Sequence, residues 1–257
     1  MSDDLTRDVW AKIRPLTPAR IGLARAGASL ATAPQLAFQL AHARARDAVH
    51  EQLDDARLAD DLAPASLPVL RIASAAHGRQ QFLMRPDLGR RLGDGAEAVL
   101  APHRGVYDLV IVVADGLSAR AVQTHAAPVL SLAVDGLRRD GWRIAPIVIA
   151  HQGRVAIGDA IAAALGAECV AVLIGERPGL SAPDSMGAYL TWRPHAATTD
   201  AERNCISNIR ADGIGTADAA FKIAATLRAM RRRQTSGVAL KDESDTLTIA
   251  RDPLSLP

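Results

Sequence analysis

Three side chains in this sequence could take part in nucleophilic catalysis, namely those of Ser118, His151 and Cys205. A serine or cysteine nucleophile needs a base that accepts its proton, and histidine most often has this role. Ser118 and His151 each follow an apolar run, so the two residues could meet at one edge of a sheet. With Asp115 or Asp184 they would form a hydrolase triad. One hypothesis is therefore a stand-alone cytosolic hydrolase that uses Ser118 or Cys205 with His151.

The sequence around these nucleophiles favours structural roles instead. The segment 115–119, Asp-Gly-Leu-Ser-Ala, lacks the G-x-S-x-G elbow that presents a catalytic serine. An aspartate before glycine commonly accepts hydrogen bonds from the backbone of its own turn, and we predict this role for Asp115. Cys205 lies in a polar segment without any sign of an activated thiolate, so a packing or contact role is the simpler interpretation.

Nucleotide and metal sites also lack support in the sequence. No G-x-G-x-x-G follows the first predicted strand, and no G-x-x-x-x-G-K-[ST] occurs anywhere. The two cysteines, Cys169 and Cys205, have neither zinc spacing nor a disulfide framework. His42 and His50 are two helical turns apart, which is too far for a shared ion. We therefore predict no metal site, and we predict Cys169 to be a core thiol.

Composition excludes several classes of protein. The chain has 257 residues, of which 49% are hydrophobic, 23% charged and only 3% aromatic, so aliphatic side chains must build the core. The net charge of +2 is too small for non-specific binding to nucleic acid. We expect no secretory signal peptide, because the first residues show no n-region, h-region and cleavage site. No apolar run approaches the length of about 18 residues that spans a membrane. We expect a cytoplasmic protein, or one enclosed in a cytosolic compartment.

Alternating strand and helix patterns predict the main fold. Continuous apolar runs at 107–113, 142–149 and 168–174 are typical of buried strands, and helical patterns separate them at 118–139 and 155–165. This order predicts an α/β fold with a Rossmann-like, doubly wound parallel sheet. The turns after the three strands would then lie at one edge of the sheet, where such folds bind ligands.

The rest of the chain divides around this core. Residues 1–95 are predicted to form a small, mostly helical N-terminal domain, with a leading helix over 1–14 and a clear helix over 34–53. Residues 96–245 form the Rossmann-like domain, and 246–257 a polar, frayed tail. Thr216 is predicted to cap a final helix that ends near the cluster 231–233, where three arginines complement the helix dipole.

The stretch from Gly175 to Arg210 differs from the Ala-rich and Leu-rich remainder. It leaves the third predicted strand and is crowded with Gly, Pro, Ser, Asp and Asn, although residues 187–192 are predicted to form a fourth strand. Glu176 stands where its carboxylate could reach a ligand, or could instead pair with Arg177. Position and residue types indicate a ligand-binding α/β domain and specify no reaction.

The same stretch carries a resemblance to a known family. The run IGERPGLSAPDSMGAYLTW, continued by TDAERNCISNIR, resembles the hallmark region of the small (light) subunit of ethanolamine ammonia-lyase. Three further segments agree in order: TPARIGLARAGASLATAPQLAFQLAHARARDAVH, VIVVADGLSARAVQTHA and GRVAIGDAI. The likeness extends from about Thr17 to Lys241.

The resemblance implies a specific activity. Enzymes of this family convert ethanolamine to acetaldehyde and ammonia through radicals, which homolysis of adenosylcobalamin starts. The large subunit, a TIM-type barrel, carries the substrate site, and the small subunit helps to enclose the cofactor. The implied assembly is a hetero-oligomer of paired large and small subunits, in some cases within a bacterial microcompartment.

The resemblance also implies particular cofactor contacts and assigns no catalytic residue to this chain. Family positions that contact cobalamin correspond to Val155 in GRVAIGD, Glu176 in GERPGL and Cys205 in RNCISN. The D-x-H-x-x-G motif, whose histidine replaces the lower base of cobalamin, is absent from the sequence. This resembles the family's base-on mode of binding, in which the cofactor keeps its own base.

Overall fold

The structure, a computed structural model, describes residues 10–241. Most of the predicted leading helix over 1–14, and the predicted tail over 246–257, lie outside these residues. The strands are β1 (Arg25–Ala26), β2 (Ser29–Leu30), β3 (Val69–Ala73), β4 (Tyr107–Ala114), β5 (Ile147–His151), β6 (Ala167–Gly175), β7 (Met186–Trp192) and β8 (Arg203–Ile209). The helices are α1 (Thr32–His50), α2 (Asp55–Leu62), α3 (Arg79–Met84), α4 (Ala96–Leu100), α5 (Ala119–Arg139), α6 (Ile157–Leu165) and α7 (Thr216–Arg233). None of the helices within residues 10–241 is long and apolar enough to cross a membrane.

A six-stranded sheet forms the centre of the α/β fold, with the strand order β3-β5-β4-β6-β7-β8. The three strands predicted to be parallel, β4, β5 and β6, are parallel. The sheet as a whole is mixed, because β7 and β8 run antiparallel to their neighbours, which corrects the expectation of a wholly parallel sheet. The links 176–185 and 193–202 are too short for parallel connections, because these need a crossover of a dozen or more residues.

The second of the predicted strands begins later than expected. The apolar pattern predicted it over 142–149, and the structure places β5 at Ile147–His151. Pro146 comes immediately before β5, where its missing N–H costs no ladder hydrogen bond. The fourth predicted strand is confirmed as β7, Met186–Trp192.

Strand β3 departs from the prediction of a mostly helical region over 1–95. It pairs in parallel with β5 and forms one edge of the central sheet. Its side chains alternate between buried and exposed positions, with Leu70 and Ile72 in the core. The five residues between Pro68 and the turn at Ser74 carry only a weak strand pattern in the sequence. Pairing with β5 therefore decides that they form a strand.

Helices cover both faces of the sheet. Leu109 and Ile111 of β4 pack into the core that includes residues of α5 and α7, whereas Val110 and Val112 pack into the core that includes residues of α4 and α6. Because β4 is buried on both faces, its sequence reads as a continuous apolar run.

The polar stretch from Gly175 to Arg210 contains two strands, one more than the single strand predicted over 187–192. Its β7 and β8 form an antiparallel pair at the second edge of the sheet. The sequence pattern missed β8 because the strand is polar, with Cys205, Ser207 and Asn208 exposed. An edge strand with one solvated face can carry such residues.

Candidate functional site

Ser118 has a structural role at the start of α5. Its hydroxyl donates a hydrogen bond of 2.9 Å to the carbonyl of Pro183 and accepts one of 3.3 Å from the backbone N–H of Ala121. The second contact is an N-cap, which satisfies a donor that the helix leaves free. The first ties the loop after β6 to the helix. Ser118 is fully buried, so its oxygen is not presented to a substrate.

The other proposed triad members have separate partners. His151 Nε2 lies 3.3 Å from Asp55 Oδ2, and Asp184 Oδ2 lies 3.6 Å from Nε2 of His125. Within residues 10–241, no hydrogen bond or ion pair joins His151 to Ser118 or to Cys205. The geometry therefore gives no support to a hydrolase triad.

Asp115 links two turns at the carboxyl edge of the sheet. Its Oδ1 accepts a 3.2 Å hydrogen bond from the N–H of Gly153, in the turn after β5, rather than from its own turn as predicted. Burial raises the pKa of this carboxyl group, while the N–H groups of Gln152 and Gly153 and the nearby Arg79 oppose that effect. Asp115 is therefore a structural residue at this edge.

Glu176 is held in place by two neighbours. Its Oε2 accepts a 2.6 Å hydrogen bond from the hydroxyl of Ser185 and a 3.2 Å hydrogen bond from the N–H of Asn208. Its backbone N–H donates to the carbonyl of Ser185. These contacts replace the alternative ion pair with Arg177. The Glu176 side chain stays half-buried, and its second oxygen, Oε1, lies beside Gly187.

Cys205 belongs to the same cluster through Tyr189. The two residues face each other across β7 and β8, and the Tyr189 hydroxyl is close enough to influence the pKa of the Cys205 thiol. Tyr189 also lies next to Gly187, whose missing side chain leaves room for the Glu176 carboxylate. Although Cys205 is exposed as a residue, partial burial of its thiol raises the pKa of that group. The Tyr189 hydroxyl lowers this pKa, and the Glu176 carboxylate raises it further. A thiol with a raised pKa is a poor nucleophile and a suitable neutral contact.

Val155 occupies the turn before α6 and packs against the core on the α6 side of the sheet. Tyr189 packs against the same core, so Val155, Tyr189 and Cys205 lie on the same side. Arg203 connects α6 to this side through a buried, bidentate ion pair with Asp159, at 2.8 and 2.6 Å. Val155, Glu176 and Cys205, the cofactor contacts that the family resemblance implies, thus lie on the α6 side of the sheet. Cys205 faces Tyr189, and Glu176 lies beside Gly187.

We call the surface of β7 and β8 on this side the open strip, defined by Glu176, Gly187, Tyr189 and Cys205. Cys205 is exposed, Glu176 and Tyr189 are half-buried, and Gly187 is buried between them. On the opposite side, α7 packs against both strands. The strip offers a carboxylate oxygen, a thiol and a tyrosine edge beside a glycine. Such an arrangement suits contact with a large polar ligand or another chain. It lacks a base paired with a nucleophile, which bond cleavage by this chain alone would need.

Three residues of this site were missed from the sequence: Ser185, Tyr189 and Asn208. Ser185 could have been noted as a polar residue directly before a predicted strand, where its hydroxyl can reach the preceding strand end. Asn208 adopts a left-handed backbone with φ of 60°, a conformation that asparagine tolerates. Its contact with Glu176 depends on the register of β8, which sequence patterns do not reveal.

Within residues 10–241, no group of three or more His, Cys, Asp and Glu side chains is arranged to hold a metal ion. Cys169 is fully buried, as predicted for a core thiol, and burial raises its pKa. The three arginines at 231–233 lie in the last turn of α7, as predicted.

Comparison with known proteins identifies the family. Residues 7–241 match the family described as "Ethanolamine ammonia-lyase light chain (EutC)". The chain is 51% identical to the ethanolamine ammonia-lyase small subunit of Ralstonia nicotianae over 245 residues, which cover 94% of this chain and 91% of the relative. It is 53% identical to the small subunit of the same name in Azotobacter vinelandii, covering 93% and 90% of the two chains. For the small subunit from Xanthomonas campestris pv. campestris, the identity is 53% and the coverage 97% and 93%. The match spans both the core sheet and the open strip, and the chain therefore belongs to the ethanolamine ammonia-lyase light-chain family.

Proposed function

We propose that this chain is the small subunit of an adenosylcobalamin-dependent ethanolamine ammonia-lyase, in which it helps to bind and enclose the cofactor. The family match over residues 7–241 supports the enzyme class. The observation that carries the cofactor role is the open strip, where Glu176 and Cys205 are joined through Tyr189 and Gly187. The reaction is the conversion of ethanolamine to acetaldehyde and ammonia, a step of ethanolamine catabolism.

The residues present fit a cobalamin. This cofactor is rimmed by neutral amide side chains, which need hydrogen-bond acceptors and donors rather than a strong counter-charge. Glu176 has its Oε1 free of hydrogen bonds from other described residues, while Ser185 and Asn208 hold its Oε2. Cys205 is exposed and its raised pKa keeps the thiol protonated, and Val155 adds half-buried methyl groups. Together these provide one acceptor, one weak donor and one apolar contact.

The chain's own part in the reaction is binding, orientation and exclusion of water. Bound adenosylcobalamin supplies the radical that starts the reaction, through homolysis of its cobalt–carbon bond. Glu176, held by Ser185, would fix the position of an amide side chain of the cofactor. Val155 and Cys205 would keep solvent from their part of its surface. We assign no proton transfer and no substrate contact to this chain.

The substrate site belongs to the partner in this proposal. The partner is the large subunit, a TIM-type barrel, and the assembly is a hetero-oligomer of paired large and small subunits. We further propose a Rossmann-like assignment for the sheet domain, with a mostly helical region before β3, and a cytoplasmic location that can lie within a microcompartment. The base-on mode of cofactor binding also remains part of the proposal.

Co-expression tests the proposed function. This chain and the large-subunit candidate encoded beside it are purified together, and acetaldehyde production from ethanolamine is measured with and without adenosylcobalamin. We expect activity only when both chains and the cofactor are present. Glu176→Ala and Cys205→Ala should raise the cofactor concentration for half-maximal rate more than the ethanolamine requirement. An unchanged cofactor requirement in both variants would contradict the assigned contacts.

The isolated chain provides the control. It should show no deaminase activity on ethanolamine, since no described residue set supplies the chemistry. Covalent labelling of Ser118 or Cys205 by an electrophilic probe, with hydrolysis of a test ester, would favour the alternative of a stand-alone hydrolase. Equilibrium dialysis of cobalamin against the complex would separate a cofactor-binding subunit from a purely structural one.

A further inference from the structure

A large pocket lies beside the turn that opens α6. Its volume is about 950 Å³, and its wall includes Val155 together with the arginines Arg90, Arg91, Arg154 and Arg203. The pocket is adjacent to the carboxyl edge of β5, where α/β folds place ligands. Four arginines in one wall raise the question of which negative charges balance them.

Two of the four arginines have carboxylate partners. Arg203 pairs with Asp159 at 2.6 Å, and Arg91 Nη2 lies 3.1 Å from Asp87. Arg90 and Arg154 form no ion pair with other residues in 10–241. Three carboxylates line the same pocket. Asp159 and Asp200 both lie beside Arg203, at 2.6 and 3.7 Å, and the exposed Glu97 has no ion-pair partner in the described chain. Four arginines against three carboxylates leave the wall of the pocket with one excess positive charge.

Arg154 is held rigidly with an unused donor. Its guanidinium stacks on the ring of Phe82, 4.2 Å from the ring centre, and Nη2 makes one long hydrogen bond of 3.4 Å to the carbonyl of Phe82. Gly89 packs against its side-chain stem, with no room for a larger residue. Nε is buried and has no hydrogen-bond partner in the described structure. Nε itself is closed to solvent, but the half-buried guanidinium makes only one side-chain hydrogen bond within the described residues, so its other N–H groups are available to an anion in the pocket.

Burial and neighbouring cations destabilise the positive charge of Arg154. Burial lowers the pKa of Arg154, and the positive charges of Arg79 and Arg90 lower it further. Arg79 also stacks on Phe82, at 5.0 Å, and its one carboxylate neighbour is Asp115 at 3.8 Å. Arg79 and Arg154 thus share the buried carboxyl group of Asp115, and Arg90 adds a third positive charge beside Arg154. An anion between Arg90 and Arg154 would relieve the repulsion between them.

We propose that Arg90 and Arg154 form a binding site for a phosphate-type oxyanion. Arginine suits such a ligand because its planar N–H groups match phosphate oxygens. Two sources share this chemistry: free phosphate, and the phosphodiester in the nucleotide loop of cobalamin, which is that cofactor's only acidic group. The second source rests on the proposed function. The position of the site favours the phosphodiester, because Arg154 directly precedes Val155, one of the cofactor contacts that the family resemblance implies.

The experiment measures binding rather than turnover. The cofactor-free complex of both subunits is titrated with hydroxocobalamin and with cobinamide, which lacks the nucleotide loop and its phosphodiester, and dissociation constants are read from equilibrium dialysis. If the site takes the phosphodiester, Arg154→Gln and Arg90→Gln should each weaken cobalamin binding about tenfold. Cobinamide binding should stay within about twofold of the unmodified complex, because that ligand offers the arginines no phosphate.

A second titration, with inorganic phosphate, tests the other possible ligand. Phosphate is titrated by calorimetry into the same cofactor-free complexes. Loss of phosphate binding in the variants, with cobalamin and cobinamide unaffected, assigns the site to free phosphate. Equal weakening of cobalamin and cobinamide, or no change with any ligand, overturns the proposal.

Controls separate this inference from folding defects and from the proposed function. Arg232→Gln removes the same charge from the exposed end of α7 and should leave every dissociation constant unchanged. Arg90 is exposed, so Arg90→Gln keeps the test valid even if Arg154→Gln impairs assembly. A complex that binds no cobalamin before any substitution would contradict the proposed cofactor role, whereas variants that bind like the parent complex would contradict only the phosphodiester subsite.

Discussion

The Ser185 hydroxyl donates a 2.6 Å hydrogen bond to Oε2 of Glu176, and Ser185 is almost completely buried. The two residues also exchange a backbone hydrogen bond, from the N–H of Glu176 to the carbonyl of Ser185. Side chain and backbone together define one orientation of the carboxylate. Glu176 is consequently pre-organised before any ligand arrives, which lowers the entropy cost of binding.

Ser185→Ala should loosen this carboxylate. Without the hydroxyl, Glu176 keeps only the N–H of Asn208 as a donor to Oε2, so the side chain gains rotamers. We expect the dissociation constant of the complex for cobalamin to rise about three- to tenfold, with little change in the KM for ethanolamine. The matched control is Ser131→Ala in α5, which should leave cofactor affinity unchanged. Equal affinity in both variants would show that Ser185 does not position Glu176.

Gly187→Ala should disturb the same carboxylate from the other side. A Cβ at Gly187 would lie 2.9 Å from Glu176 Oε1, so the flexible side chain must move. We predict weaker cofactor binding with nearly unchanged stability, measured by dialysis and by urea denaturation. Gly179→Ala is the control in the loop before β7, since its Cβ would meet its nearest neighbour at 3.8 Å. A loss of affinity in the control as large as in Gly187→Ala would contradict this explanation.

The reactivity of Cys205 should report its raised pKa. In the cofactor-free complex, alkylation by iodoacetamide should reach half its maximal rate at a pH above the ordinary value of 9.0 for a cysteine thiol. Only the thiolate reacts, so the rate near pH 8 should be below that of a free thiol. Removing the opposing hydroxyl in Tyr189→Phe should raise the midpoint further, whereas Glu176→Gln should lower it.

Cys205→Ser serves as the blank for this measurement, because the remaining Cys169 is fully buried. Fast alkylation of Cys205 below pH 8 would mean an activated thiolate. That outcome would contradict the contact role and revive the hydrolase alternative.

The buried pair Arg203–Asp159 should be important for stability. Their side chains are 2% and 9% exposed and form two hydrogen bonds of 2.6 and 2.8 Å. Arg203→Gln leaves Asp159 as a buried charge without its partner, so we expect the free energy of unfolding to fall by about 3 kcal/mol. The exposed pair Arg193–Glu168, at 3.3 Å, is the comparison, and Arg193→Gln should cost less than about 1 kcal/mol. Equal effects in chemical denaturation would show that burial does not strengthen the first pair.

Ser118→Ala should reduce stability and leave chemistry intact. The substitution removes the N-cap of α5 and the bond to Pro183, which together stabilise by about 2 kcal/mol. Deaminase activity of the assembled enzyme at saturating cofactor should remain, because Ser118 is a structural residue. A complete loss of activity in a folded, assembled variant would argue for a direct catalytic role.

Much of the central fold follows from the sequence by itself. The apolar runs of β4 and β6 are buried on both faces, and burial on both faces requires unbroken apolar sequence. The long helix α5 and the strand β7 also follow from local periodicity and length. The motifs around Glu176 and Cys205 likewise identified the family before any geometry was known. Local patterns suffice here because each element carries its own hydrophobic signal.

The tertiary structure decided the rest. Strands β3 and β8 carry weak signals, and pairing with β5 and β7 stabilises them in place. The antiparallel direction of β7 depends on the length of its link, and the contact between Glu176 and Asn208 depends on the register of β8. Arg154 reaches Phe82 of α3 from a distant segment, so the stacking of its guanidinium on that ring has no sequence signature. Contacts of this kind arise only when distant segments pack, because sequence patterns report the neighbours of a residue along the chain and not those across space.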